Sequence, residues 1–187
     1  TWTDPGGTIA GIHAGVAELS DGRLMALGRG HDIDGRMPRS LSEDMGRTWT
    51  YSPSPFPPIG GGQRPVLMRL TEGPLFFASF AKEMRIRDAS GEERPIHGLF
   101  AALSYDDGET WPVRRLVSDD GPGRLIEGTD GRLVTLSLES AEPRGYLSVC
   151  QTADGVVQLI SSRQHYAFNL KWLETPPPTL RAPGGRQ

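Results

Sequence analysis

Two stretches of the sequence, SEDMGRTW at residues 42–49 and SYDDGETW at residues 104–111, share the pattern Ser-x-Asp-x-Gly-x-Thr-Trp. The aspartate of each stretch can accept hydrogen bonds from backbone N–H groups, and the glycine can adopt the positive φ that tight turns require. The tryptophan that follows gives the outgoing strand a large apolar anchor. The pattern therefore predicts two equivalent turns, built by Ser42, Asp44, Gly46, Thr48 and Trp49 and by Ser104, Asp106, Gly108, Thr110 and Trp111.

A second repeat consists of an acidic residue and a glycine, followed each time by an apolar, strand-like run. Such a pair between apolar segments is a strong signal for a β-hairpin. The octapeptides follow the first two hairpins, so that each hairpin, the next strand, the turn and a last strand form a four-stranded sheet. Repeated sheets of this kind are typical of β-propellers, and the sequence predicts an all-β fold of that type. The four pairs begin at Asp21, Glu72, Asp130 and Asp154.

The composition narrows the classes of partner. The chain has 187 residues, a formal net charge of -3 and a single cysteine, Cys150. Lysine and arginine are spread along the chain, which argues against nucleic acid as the main partner. No apolar run approaches the roughly 20 residues of a membrane helix, so no membrane partner is expected. One cysteine excludes an internal disulfide, and no spacing of histidine and aspartate fits a metal site, so no metal or other cofactor is expected.

The octapeptide resembles the Asp-box of the sialidase, or neuraminidase, superfamily, in which it is also known as the BNR repeat. Together with the hairpins, the resemblance covers residues 1–173, and the closing phrase QTADGVVQLISSRQHYAFNLKWL is similar to those of an uncharacterised sialidase-like group. Sialidases are six-bladed propellers, whereas this chain would supply about three to four blades. We therefore expect a shortened member of the family, followed by a Pro/Gly-rich tail over 174–187.

The resemblance implies exo-α-sialidase activity on the terminal sialic acid, or a related acidic sugar, of a glycan. In that family arginines hold the sugar carboxylate, a tyrosine is the nucleophile beside a glutamate, and an aspartate is the acid/base. Arginine offers a planar pair of donors that matches a carboxylate. A neutral tyrosine meets less repulsion from the anionic sugar than a carboxylate would, and sialidases use it as their nucleophile. A secreted or periplasmic location is also implied, although residues 1–11 lack the pattern of a signal peptide.

The resemblance implies catalytic roles for a few positions of this chain, none of which has a diagnostic flanking motif. Asp32 and Asp34, in the loop HDIDGRMPRS, lie near the place of the acid/base. Tyr146 is the candidate nucleophile, with Glu127 or Glu142 as its partner.

The candidate substrate-binding residues lie at the start or the end of the first two predicted hairpins, or in the loop that follows the first one. Gly11 occupies the place where the family has its first arginine, which weakens the expected carboxylate site. The remaining candidates that would bind the sugar are Arg29, Arg36, Arg64 and His13. A non-catalytic propeller that binds glycan or protein is the alternative, because a fold does not determine an activity.

Overall fold

The computed structural model describes residues 1–118 and 123–180. Within these ranges every regular element except one five-residue helix is a β-strand, and all but one of the strand pairings in the sheets are antiparallel. The predicted all-β fold is confirmed. The single helix is far too short to span a bilayer, so the described residues contain no candidate membrane-spanning helix.

The first half of the chain forms two four-stranded antiparallel sheets in which neighbouring strands follow one another in sequence. This is the strand order of a propeller blade. The first sheet contains β1 (Ile12–Glu18), β2 (Leu24–Arg29), β3 (Pro38–Ser42) and β4 (Thr50–Pro53). The short strand β5 (Gln63–Arg64) comes next, and the second sheet contains β6 (Val66–Arg69), β7 (Leu75–Arg87), β8 (Glu93–Ser104) and β9 (Val113–Leu116).

The second half of the described chain forms smaller sheets. The third sheet contains β10 (Arg124–Glu127) and β11 (Leu133–Leu136), and β12 (Gly145–Tyr146) then pairs in parallel with β5. The last sheet contains β13 (Ser148–Gln151), β14 (Val156–Ile160) and β15 (His165–Asn169), and helix α1 (Leu170–Glu174) follows it. Among the described residues, two of the five sheets are thus four-stranded, as a complete blade is, and the other three have two, two and three strands.

All four predicted hairpins form at the acidic-glycine pairs. They join β1 to β2, β6 to β7, β10 to β11 and β13 to β14. The glycine of each pair has a positive φ, a conformation that a residue without a side chain adopts at little cost. These glycines are Gly22, Gly73, Gly131 and Gly155, with φ of 86°, 113°, 78° and 82°.

The two octapeptides also form the predicted turns, with matching hydrogen bonds. In the first turn, the Asp44 carboxylate accepts from the Thr48 backbone N–H at 2.8 Å and from the Thr48 hydroxyl at 2.7 Å. In the second, Asp106 accepts from the same groups of Thr110 at 2.8 Å and 2.6 Å. These bonds stabilise the charged carboxylates and lower the pKa of both aspartates to about 2.

The second sheet lies at the centre of the molecule. Residues 75–81 of β7 are buried on both faces of the strand, as expected of a sheet that packs against neighbours on both sides. On one side Phe77 stacks on Phe56, with ring centroids 4.3 Å apart. On the other side Phe76 contacts Phe168 of the last sheet, with centroids 5.9 Å apart.

The segment after helix α1 packs against the hairpin between β7 and β8. Pro177 is buried, and its carbonyl accepts a hydrogen bond of 2.9 Å from the Ala89 N–H. The Arg94 guanidinium donates to the Pro178 carbonyl at 2.5 Å. Pro177 and Pro178 of the expected tail are therefore bound to this hairpin. Residues 181–187 lie outside the described residues, and a domain boundary at 173 stays a prediction.

Candidate functional site

The first strands of three sheets, β1, β6 and β13, line a cleft of about 350 Å³. The backbones of β1 and β6 approach so closely that a Cβ on Gly15 would collide with the Leu67 backbone N. Glycine at this position is therefore what allows the two strands to meet. Two of the predicted site residues, His13 and Arg64, line this cleft.

Four predicted site residues, His13, Arg29, Arg64 and Tyr146, meet around one ring, and we call them the tyrosine cluster. The guanidinium carbon of Arg29 lies 5.9 Å from the centroid of the Tyr146 ring, and that of Arg64 lies 5.7 Å from it. The His13 ring is 5.7 Å from the Tyr146 ring, centroid to centroid. Tyr146 remains 42% exposed, so a ligand can reach the cluster from solvent.

Backbone groups fix the positions of these side chains. Arg29 donates to the Gln63 carbonyl at 2.7 Å, and Arg64 donates to the Leu147 carbonyl through Nε at 3.0 Å and Nη2 at 2.8 Å. The parallel pairing of β5 with β12 places Arg64 opposite Tyr146. The Tyr146 N–H donates to the Ser162 hydroxyl at 2.9 Å. Nothing in the sequence around Ser162 indicated this role.

A β-bulge directs His13 towards the cluster. The pairing of β1 with β2 shifts register between Ile12 and Gly15, so two residues of β1 stand opposite one residue of β2. His13 has a φ of 53°, which is uncommon for a residue with a side chain. Bulges of this kind change the direction of a side chain and are frequent beside functional sites.

The tyrosine cluster has an excess of positive charge. Among the described residues, no carboxylate forms a hydrogen bond or an ion pair with Arg29 or Arg64. Their guanidinium groups are held by carbonyl oxygens, which carry no net charge. Two oriented guanidinium groups without a carboxylate partner are suited to binding an anionic group of a ligand.

The loop residues predicted as acid/base lie apart from Tyr146. Asp34 and Gly35 form a two-residue turn with φ of 50° and 70°, between Ile33 and Arg36, which pair with each other. Asp32, Asp34 and Arg36 are exposed, and no contact of theirs with Tyr146 is present in the described part of the chain. Asp32 lines a separate cleft of about 540 Å³. The catalytic roles of Asp32 and Asp34 and the substrate-binding role of Arg36 stay predictions, without support from this geometry.

The two glutamates predicted as partners of Tyr146 interact with other residues. Glu127 forms an ion pair with Arg163 on the surface. Glu142 is fully buried, and its carboxyl group accepts hydrogen bonds from the Ser161 hydroxyl at 2.8 Å and the Tyr166 hydroxyl at 3.0 Å. Burial raises the pKa of Glu142. Neither glutamate forms a hydrogen bond with Tyr146 in the residues described.

The described residues contain no group of three or more His, Cys, Asp or Glu side chains that could hold a metal ion. Comparison with known proteins gives remote likenesses only. No protein-family model matches the chain, and no curated protein matches it. The resemblance to sialidases therefore stays an expectation based on the sequence motifs.

Two solved structures are similar to the chain at low identity. One is described as a bifunctional GH43-CE protein of Bacteroides eggerthii, with 12% identity and a TM-score of 0.40 over 90% of this chain and 25% of that one. The other is a protein of unknown function from Dyadobacter fermentans, with 17% identity and a TM-score of 0.37 over 87% of this chain and 63% of that one. The chain thus spans less than two thirds of either protein.

Proposed function

We propose that this chain is a sialidase-like protein that binds the carboxylate of a terminal acidic sugar at the tyrosine cluster. One observation carries the proposal: Arg29 and Arg64 converge on the exposed ring of Tyr146 without a carboxylate partner among the described residues. Each guanidinium has donors left for a ligand, because the carbonyl bonds use only part of its five N–H groups. The Tyr146 ring supplies an apolar surface for a sugar.

Hydrolysis of a sialoside at the same site is a second candidate, and the exposed position of Tyr146 beside two arginines favours it. A tyrosine nucleophile needs an adjacent base. Among the described residues, Glu127 is paired with Arg163 and Glu142 is bound to Ser161 and Tyr166. Binding without turnover is therefore the function that the geometry supports better.

The binding proposal can be tested by calorimetric titration with the methyl α-glycoside of N-acetylneuraminic acid. We expect the free acid to bind and its methyl ester, which lacks the charge, to bind at least about tenfold more weakly. The substitutions Arg29→Gln and Arg64→Gln should weaken binding of the acid, whereas Arg132→Gln, which changes an exposed arginine elsewhere, should not. Thermal melting shows whether each variant is folded. Equal binding of the acid and the ester by the folded chain would contradict the proposal.

Hydrolysis is tested separately, by release of a fluorescent group from an aryl sialoside. Turnover that is lost in Tyr146→Phe and in one of Asp32→Ala and Asp34→Ala would establish the enzyme and assign two roles. Turnover that Tyr146→Phe retains would remove Tyr146 from the chemistry. A folded chain that binds the sugar and releases no product would leave binding as the function.

A further inference from the structure

A second cleft lies beside the tyrosine cluster. Its volume is about 540 Å³, and its lining includes Asp32, Gly60, Gln63, Lys82 and Arg144. We call it the lysine cleft. No residue of this lining except Asp32 was predicted as a site residue from the sequence.

The lysine cleft and the tyrosine cluster share the paired strands β5 and β12. Gln63 lines the cleft, and its backbone carbonyl accepts the hydrogen bond from Arg29, while the next residue is Arg64 of the cluster. Arg144 precedes Tyr146 by two residues. Arg144 itself lines the cleft and lies just before β12, which carries Tyr146. A ligand at Tyr146 therefore has the lysine cleft as a neighbour.

A β-bulge places Lys82 at this cleft. The pairing of β7 with β8 shifts register between Ala81 and Met84, so that Lys82 and Glu83 stand opposite one residue and are both exposed. His97 Nδ1 hydrogen-bonds to the Lys82 carbonyl at 2.5 Å and holds the bulge. This bulge, like the one at His13, changes the direction of a charged or ionisable side chain beside the site.

The charge of the lysine cleft is positive. Lys82 and Arg144 are its two cations, and Asp32 is the one carboxylate named in its lining. Within the described residues, Lys82 forms no ion pair, and Arg144 approaches Asp130 only at 3.9 Å. Both cations are therefore available to a ligand, and they favour an anionic group over a neutral one.

We infer that the lysine cleft binds a negatively charged group on the second sugar of the glycan, so that the preferred ligand carries two adjacent anionic residues. The inference rests on the proposed function, which supplies the first acidic sugar at Arg29 and Arg64. The second group, a carboxylate or a sulfate ester, would be bound by Lys82 and Arg144. A neutral second sugar would leave Lys82 without an anionic partner and Arg144 with only its long contact of 3.9 Å to Asp130.

Three soluble ligands separate these possibilities. In the first, the sialic acid is linked to a neutral galactose; in the second, to another sialic acid; in the third, to a sulfated galactose. We expect the second or the third ligand, or both, to bind about tenfold more tightly than the first in calorimetric titrations at low salt. The preference should shrink at 1 M NaCl, because salt screens the charges. Which of the two binds tightly shows whether a carboxylate or a sulfate is recognised.

Two variants assign the preference to the cleft. Lys82→Gln and Arg144→Gln should each reduce the ratio of the affinities for the doubly charged and singly charged ligands towards one. Arg87→Gln, which removes an exposed cation from the same strand as Lys82, should keep the ratio of the unsubstituted protein. Cooperative melting confirms that each variant is folded.

The outcomes distinguish the inference from the proposed function. Equal affinities for all three ligands overturn the inference but not the proposed function. A preference that survives both substitutions also overturns the inference. The doubly charged ligands could bind through Lys82 while the sialyl galactoside does not bind at all. That result would support anion binding at the lysine cleft and contradict sugar binding at the tyrosine cluster. No binding of any ligand by the folded chain overturns both.

Discussion

The two octapeptide turns have the same hydrogen bonds inside them and different surroundings. In each turn the serine hydroxyl accepts from the glycine N–H at 2.8 Å, and the tryptophan Nε1 donates to the glycine carbonyl at 3.1 Å. Trp111 is nonetheless 6% exposed and packs edge-on against Phe56 and Phe77. Trp49 is only partly buried.

The neighbours of the two turns explain this difference. The second turn lies between two sheets, where Gly108 packs against the side chain of Met25 in β2. The first turn has no second sheet beside it in the described part of the chain. The N-terminal segment lies there instead: Pro5 approaches Gly46, and Gly7 lies against the Trp49 ring. The same eight residues thus form one conformation, while the surrounding sheets decide how much apolar surface they bury.

The tryptophan pair should show the largest effect of this difference. Replacing Trp111 with alanine removes a buried ring from the aromatic cluster and should lower the free energy of unfolding by about 3–5 kcal/mol. Trp49→Ala should cost about 1–2 kcal/mol, because much less apolar area leaves the core. Urea denaturation of both variants measures the two losses. Similar losses would mean that the N-terminal segment stabilises Trp49 to the same extent as a neighbouring sheet stabilises Trp111.

The glycine pair should give an intermediate difference. Gly46 and Gly108 have φ of 87° and 86°, so alanine at either position should cost about 1–2 kcal/mol in backbone strain. At Gly108 the new Cβ would also lie 2.7 Å from Met25 Cε, whereas at Gly46 it would lie 3.5 Å from Pro5 Cγ. We therefore expect Gly108→Ala to be the more damaging change in thermal melting. The contact with Met25 is not the cause if the two glycine variants still differ by the same amount in melting temperature when Met25 is also replaced by alanine.

The aspartate pair should behave alike, because its hydrogen bonds lie inside each turn. The pKa of Asp44 and of Asp106 is lowered to about 2 from an ordinary value of 3.8. A lowered folded-state pKa means that each carboxylate stabilises the fold above about pH 4, and that this contribution is lost as the pH falls towards 2. Asp44→Asn and Asp106→Asn should thus lower the melting temperature at pH 7 by similar amounts.

The pH dependence of the same two variants tests whether the charge of the carboxylate is what stabilises each turn. The gap in melting temperature between the unsubstituted protein and each asparagine variant should narrow as the pH falls from 4 to 2. A gap that is constant across this range would show that the charge of the carboxylate does not stabilise the turn. A much larger loss for Asp106→Asn than for Asp44→Asn would show that the surroundings act on the hydrogen bonds as well.

Local patterns in the sequence predicted the turns and hairpins because the residues that form them are neighbours in the chain. They did not predict the length of β7 and β8, since Pro95 and Gly98 usually indicate the end of a strand. Gly98 has a φ of 99° beside the bulge, and its lack of a side chain leaves room for the Ala141 backbone. The length of β7 and β8 therefore depends on packing against a distant part of the chain.

The candidate site shows the same limit. Arg29, Arg64 and Tyr146 were predicted separately, from the family resemblance, and the structure brings them together through the pairing of β5 with β12. That pairing joins residues about 80 positions apart through two residues of each strand, so no local periodicity indicates it. Glu127 was predicted as a partner of Tyr146 but pairs with Arg163, an interaction that depends equally on distant parts of the chain.

The residue before the turn glycine should give the smallest effect. Asp107 in the second turn accepts hydrogen bonds from the Ser20 N–H at 3.2 Å and forms an ion pair with Arg69, whereas the equivalent Met45 is 59% exposed. Both residues have a φ of 57°, so exchanging the two residue types keeps the backbone conformation. Asp107→Met should cost about 0.5–1 kcal/mol and Met45→Asp less than about 0.5 kcal/mol, with the first loss reduced in 1 M NaCl. Equal effects in urea denaturation would mean that the link from the second turn to the first sheet through Asp107 contributes no stability.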